Sequence, residues 1–499
     1  MAFRIEKLEP LPIGTANGHE LHEVKFCDLI GHNIVLTGAN GDLPKKSKTY
    51  GCISKEFLNI LLLGFGFMFS MGSYTTCAMS QTVVLNTVKD EYFQGTETIG
   101  YSVLCVVYAS VAAGFLIAPS ISAIIGPKPA MVLGAGCLLL YVVTFLRPLV
   151  VTLYIGALFQ GLGQALIWTV YGHFLTENSN KDTLGRNTGV FWCLFQSCLV
   201  VGNLFYFVMM QGVTVITEKQ RTILFVVLIG SAVVGASILA LMRHPWRIKQ
   251  KPNDALSHGP VTAIVGLCRL AVSKNMLLLF PTFVYVGLEL GFFINVYSTC
   301  VGYTTRFGLI RESLVGLTGV FIGVGQISGG LLFASVGKIL TKHGRDIGVA
   351  CGFLVHVLAF FLIWLTIPND ASLRITDKKA FFEPNPYIAM ICATLLGFGD
   401  AAWINQIVAL LGTVYPGGSD CLAAFAWWQF LQCFSAAAVF FYSAILQLDV
   451  QLLILIIMAV VGLFGYCVLE WRITHEELKK NTNIATRKER IKLIDRKYE

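Results

Sequence analysis

The sequence predicts an all-α polytopic membrane protein, with twelve transmembrane helices arranged as two six-helix halves. Composition is the first reason. Of 499 residues, 55% are hydrophobic and only 13% charged, and a mean hydropathy of +0.68 is far too apolar for a soluble multidomain chain of this length. The second is that apolar runs recur from residue 57 to residue 471, each near the ~20 residues needed to cross a hydrocarbon core. The third is that stretches of the first half return, in the same order, in the second.

Residues 1–55 are polar, with Gly, Pro and a Lys45-Lys46-Ser47-Lys48 cluster, which predicts a mobile cytosolic tail. The one apolar patch there, Ile30 to Leu36, is short and interrupted by His32 and Asn33, so it does not form a secretory signal. The spans then fall at 57–85, 99–125, 130–147, 149–175, 187–210 and 222–243, which make a first bundle over 56–243. A basic cytosolic linker, 244–274, follows. Spans at 275–302, 313–337, 346–366, 387–413, 421–446 and 449–471 make the second bundle, 275–471, before a basic cytosolic tail at 472–499.

Charge sets the orientation. The net charge of +8 would suit a nucleic-acid partner if it formed one basic face. Instead the Lys and Arg lie in tails and loops, as the positive-inside rule requires. With both tails in the cytosol, 28 of the 37 fall inside and 9 outside. The lipid bilayer is the expected partner, and nucleic acid is not.

The two halves read as a duplication. Tyr74-Thr75-Thr76-Cys77 matches Tyr297-Ser298-Thr299-Cys300 at an offset of 223 residues, Gln164 matches Asp400 at 236, and Trp192 matches Trp427 at 235. A parallel repeat across a cytosolic linker relates the halves by an axis along the membrane normal and sets a substrate site near the midplane.

Of the fourteen cysteines, Cys27 and Cys52 fall in the N-terminal tail and the rest fall within or at the ends of apolar runs, so no extracellular disulfide framework is expected. No Cys/His group has zinc spacing, and no nucleophile–base pair or nucleotide loop emerges. Nothing therefore argues for an enzyme, a metal or a cofactor.

At Gly185-Arg186-Asn187-Thr188-Gly189-Val190-Phe191-Trp192, followed by Gln196 and Gly202-Asn203-Leu204, the chain resembles the uncoordinated-93-like branch of the major facilitator superfamily. Gly287-Leu288-Glu289-Leu290, Gly323-Val324-Gly325 with Gly329-Gly330, and Gly397-Phe398-Gly399-Asp400 extend the likeness over about 55–472. The resemblance implies the twelve-helix facilitator fold, with helices one, four, seven and ten lining a central cavity. It also implies that Gly337, Lys342, Gly344 and Arg345 belong to the superfamily's cytosolic loop signature and take part in an inner gate. Thr341 stands where an Asp is usual, and the first-half equivalent, Gly126-Pro127-Lys128, has lost nearly all of the pattern. Arg186 and Asn187 open span five on the same side and are candidates for that gate or for simple anchoring.

Asp400 lies halfway along an apolar run, and Glu289 near the middle of span seven. A carboxylate there is costly unless it has work to do. On the implied fold both acids lie on cavity-lining helices, and they are expected to face a shared, water-reachable chamber. With no Lys or Arg inside the membrane, they would carry protons or hold a cationic or neutral solute. The plain alternative is that each acid hydrogen-bonds a neighbouring helix. Helical spacing puts Gln160, Gln164, Trp168 and Tyr171 on one stripe of span four, sets Tyr285 and Phe293 on the face of Glu289, and puts Trp403 one turn beyond Asp400. Aromatic faces around a carboxylate suit an organic cation or an amphipathic solute, although such stripes are also ordinary packing. His356, midway along span nine, is a candidate proton relay or a packing histidine.

Two functions follow as expectations. One is a secondary transporter working by alternating access in the plasma or endolysosomal membrane. The other, implied by the resemblance, is a non-transporting regulatory or trafficking subunit of an ion channel or receptor.

Overall fold

The computed structural model describes residues 55–179, 183–213, 216–242, 260–415 and 418–498. The expected N-terminal tail and most of the central linker lie outside these residues. Among the described residues, twelve helices are long and apolar enough to span a bilayer. They are α1 (Lys55–Asn86), α2 (Ile99–Ile125), α3 (Pro127–Thr144), α4 (Val150–Glu177), α5 (Leu184–Met209) and α6 (Glu218–Leu241) in the first half. The second half holds α7 (Lys274–Gly291, continued to Tyr303), α8 (Arg311–His343), α9 (Asp346–Thr366), α10 (Pro386–Val414), α11 (Gly418–Ser443) and α12 (Leu448–Tyr498).

Local chemistry sets several boundaries. Gly126, at φ 87°, breaks the chain between α2 and α3, so α3 starts at Pro127 rather than at 130, with proline in the first turn where its missing N–H costs nothing. Thr217 and Gln220 form a reciprocal capping box that starts α6. Two stretches read as linker or tail are helical. A helix, Pro260–Ala271, precedes α7, and α12 continues unbroken through the basic tail to Tyr498.

α7 is not a uniform helix. Residues Phe292–Val296 form one π turn before the α-helix resumes at Tyr297. A π turn holds an extra residue, so it rotates everything beyond it relative to the Glu289 side. Phe293, buried in the main core, sits in this wider turn.

The halves meet along α1 with α7, α2 with α11 and α5 with α8. Thr82 Oγ1 donates to Asn295 Oδ1 at 2.7 Å, Asn295 Nδ2 donates to the Ala78 carbonyl at 2.5 Å, and Ser298 Oγ donates to the Met79 carbonyl at 2.8 Å. Tyr108 packs on Phe440 across the same boundary at 5.3 Å between centroids. The duplicated Tyr74–Cys77 and Tyr297–Cys300 stretches therefore lie next to this seam, toward the end of the molecule where α1 finishes. At the opposite end, the polar ties described next stay within one half.

Candidate functional site

At that opposite end, a chain of amides binds the first half together. Asn59 of α1 donates to Asn178 Oδ1 at 2.8 Å, and Asn187 of α5 donates to Ser179 Oγ at 2.9 Å. Arg186 lies over the Phe57 ring at 4.8 Å and donates to Asn187 Oδ1 at 3.2 Å. In the second half, buried Arg345 meets both Glu470 oxygens, at 3.1 and 3.2 Å, and gives a further donor to Thr413 Oγ1 at 2.6 Å. This ties the start of α9 to the end of α10 and the middle of α12. Gly344 ends α8 at φ 117°, a conformation that glycine adopts without strain. The side-chain surroundings at Gly337 and Lys342 lie outside the described residues. Sequence reasoning missed Glu470, because nothing in its own neighbourhood announces an arginine partner 125 residues away.

The two acids come together. Glu289 on α7 is fully buried, and Asp400 on α10 keeps 8% exposure. Glycines let the backbones close. A Cβ on Gly397 would stand 2.0 Å from the Ile322 carbonyl oxygen of α8, and one on Gly399 would stand 2.2 Å from the His356 ring of α9. The Gly-Phe-Gly-Asp motif is thus a pair of notches, one per neighbouring helix, with Asp400 set between them.

His356 organises the cluster. Its Nε2 is 3.0 Å from the Leu396 carbonyl, which can only accept, so that nitrogen carries the proton. Its Nδ1 then accepts from the Tyr285 hydroxyl at 2.5 Å. Both ring nitrogens are satisfied without a second proton. Glu289 Oε1 stands 3.3 Å from the same Nε2, but the shorter, aligned bond goes to Leu396, which leaves the Asp400 carboxyl as the hydrogen-bonding neighbour of Glu289. Asp400 is in electrostatic reach of Glu289 and His356 and accepts from Gln326 Nε2 of α8 at 2.8 Å. The Trp403 ring closes the group against Tyr285 at 4.8 Å. Two carboxyls thus share a buried site that holds an imidazole but no Lys or Arg among the described residues.

Glu289 is therefore sealed within the second half instead of facing the chamber, and Asp400 is nearly so. Asp400 is linked to the other half through Gln326, 8% exposed, whose Oε1 accepts from part-exposed Gln196 of α5 at 3.4 Å. Gln326 had no signal in the sequence beyond its place in a glycine-rich span.

The span-four stripe forms a separate group. Gln160 Nε2 donates to Gln164 Oε1 at 3.4 Å. Trp168 and Tyr171 stack edge to face at 5.2 Å within an aromatic cluster completed by Phe67, Phe191, Trp192 and Phe195. These residues stand in the first half, and the acids in the second.

Comparison with known proteins places the chain. The family model described as "Ion channel regulatory protein UNC-93" matches residues 94–467.

The chain belongs to the UNC-93 family.

Among UNC-93 relatives, it is 35% identical over 443 residues to "UNC93-like protein MFSD11" of Xenopus laevis, covering 85% of this chain and 98% of that protein. It is 22% identical over 437 residues to "UNC93-like protein 3" of Arabidopsis thaliana, covering 85% and 87%. Solved structures agree on the fold of this UNC-93 protein. The nucleoside transporter NupG superposes with a TM-score of 0.58 at 13% identity, over 83% of this chain and 99% of that one. A peptide transporter POT in complex with sulfate gives 0.62 at 11% identity, over 82% and 93%. The twelve-helix facilitator architecture expected from the sequence is the observed one.

Proposed function

We propose that this UNC-93 protein is a secondary transporter of a cationic or neutral small solute, working by alternating access, with Asp400 and Glu289 as its exchangeable proton sites. The observation that carries the reading is the Glu289 carboxyl, fully buried beside the carboxyl of Asp400 with no Lys or Arg partner among the described residues. Such a group is stable as a neutral acid and costly as a lone anion, so it can take up and release a proton as its surroundings change. With both tails in the cytosol, as the Lys and Arg distribution favours, the α1–α7 seam lies on the outer side. The conformation is then closed outward and suited to exchange with the cytosol. The aromatic stripe of α4, with Gln160 and Gln164, supplies the opposite wall for an organic solute.

The test is uptake into liposomes containing the purified protein, driven by an inward proton gradient. Gradient-dependent uptake of organic cations or neutral amphiphiles, lost in Asp400→Asn, supports the proposal. Uptake that is unchanged in that variant removes the coupling role of the acid.

A second reading rests on the sealing of Glu289 from solvent and on the description of the matching family model. In it the protein is a non-transporting subunit that regulates or escorts an ion channel or receptor. The purified protein alone would then move no solute, and Asp400→Asn would leave partner co-purification intact.

A further inference from the structure

We infer that Gln326 and Gln196 are positioning residues that couple the charge on Asp400 to the packing of one half against the other. The inference rests on the proposed proton-carrying role of Asp400 and adds to it the route by which that proton changes the conformation.

Three helices and both halves contribute to one short chain. Asp400 on α10 accepts from Gln326 Nε2 on α8 at 2.8 Å, and Gln326 Oε1 accepts from Gln196 Nε2 on α5 at 3.4 Å. α5 belongs to the first half and α8 to the second, and their middles pack directly. Cβ atoms on Gly319 and Gly323 of α8 would stand 2.3 Å from the Asn203 side chain and 3.1 Å from Leu199 of α5. The titratable groups facing Asp400 among the described residues are Glu289 and Tyr285 from α7 and His356 from α9, while α8 presents Gln326.

The direction of the chain is fixed by what each group can do. An ionised carboxylate only accepts, so it holds the Gln326 amide with its NH2 inward and its carbonyl toward Gln196. A protonated Asp400 carries a donor as well as an acceptor, and when that donor is turned to Gln326 its partner there is the carbonyl oxygen. The amide then turns over and presents NH2 to the NH2 of Gln196, two donors that cannot bond. Gln196 must rotate or the α5–α8 contact must loosen. One proton at Asp400 therefore reverses or breaks the amide link between the halves. Gln196 is part-exposed and Gln326 almost closed, so the link also lies on the path from water to the buried acids.

The experiment measures opening rather than flux. Nitroxide labels at Gly189→Cys on α5 and Gly412→Cys on α10 report the gap between halves at the end away from the seam, in a background with the other exposed cysteines replaced. Both glycines are exposed, and a Cβ at either meets nothing within 4 Å. In the otherwise unchanged protein, the distance distribution should shift between pH 8 and pH 5. Gln196→Leu and Gln326→Leu should each abolish that shift, and Gln196→Asn, too short to reach, should do the same with less risk to folding. Asp400→Asn should fix a single pH-independent distribution. If the Gln196 variants fold and still shift with pH while Asp400→Asn does not, the coupling route is wrong and the proton role of Asp400 stands. If Asp400→Asn shifts as the parent protein does, or the parent itself does not respond to pH, the inference and the reading beneath it both fail.

Discussion

Thr82 of α1 donates its hydroxyl to Asn295 Oδ1 of α7 at 2.7 Å, joining the two six-helix halves through fully buried side chains. The π turn of α7 contains Asn295, and the matching segment of α1 has no such turn. α1 and α7 thus differ in backbone where the halves touch.

Replacing Asn295 by Leu removes the acceptor for Thr82 and the donor to Ala78, leaving a buried hydroxyl without its cross-half partner. The expected cost is about 1–3 kcal/mol. Because these bonds exist only when the seam is closed, the cost should appear as a shift of roughly 5–150-fold toward the seam-open state. Accessibility of a cysteine introduced at Val83, which faces Gly302 across the seam, to a membrane-impermeant thiol reagent measures it, with and without Asn295→Leu. An unchanged labelling rate in Asn295→Leu would remove the seam from the closing machinery.

Arg345 and Glu470 form a buried pair at the far end of the second half. Removing one partner leaves an uncompensated buried charge, so Arg345→Met or Glu470→Leu should each destabilise by about 3–5 kcal/mol. The double variant should recover most of that loss. Thermal unfolding in detergent separates the outcomes, and additive losses in the double variant would contradict the assignment.

Gly399 admits the His356 ring. Gly399→Ala forces a Cβ into that ring and should cost about 1–3 kcal/mol, the usual range for overpacking. Gly412→Ala, on the same helix where a Cβ meets nothing, should be neutral or slightly stabilising. The pair of melting temperatures checks the notch directly.

The loop between α9 and α10 carries a pH dependence of defined sign. Burial works to raise the Asp370 carboxyl, but hydrogen bonds from Lys378 and Thr376 and the charge of Lys378 outweigh it and hold the group below its usual range. Its stabilisation is therefore present above the ordinary carboxylate pKa of about 3.9 and is lost as pH falls through the depressed folded value. Order in this loop, followed by hydrogen exchange of the Thr376 amide bonded to Tyr303 across graded acid, and by tryptic cleavage at Arg374 and Lys378 at neutral pH, should persist to about pH 4. Asp370→Asn should be cleaved faster at neutral pH and show no such threshold.

The helices were legible because a bilayer imposes a strict length and polarity rule on any chain that crosses it. Each of the twelve apolar runs became a spanning helix. Beyond the membrane that rule weakens, and the continuation of α12 into a polar, basic stretch was missed.

Asp400 and Glu289 stood out as candidates on cost alone, since an acid in an apolar run is conspicuous without knowing any neighbour. Periodicity within one helix also found Trp403 and Tyr285. The π turn at Phe292–Val296 was not legible, because it leaves no distinctive residue pattern.

The amino-acid sequence alone settled the class of protein and the number of spans and singled out the two acids, since each depends on composition or on spacing within one segment. Tertiary structure alone decided that the acids meet at His356, that Glu289 is closed off, that Gln326 joins Asp400 to Gln196, and that Arg345 finds Glu470. These are contacts between helices distant in the chain. They are set by close backbone approach at small residues, which a linear pattern of polarity does not encode.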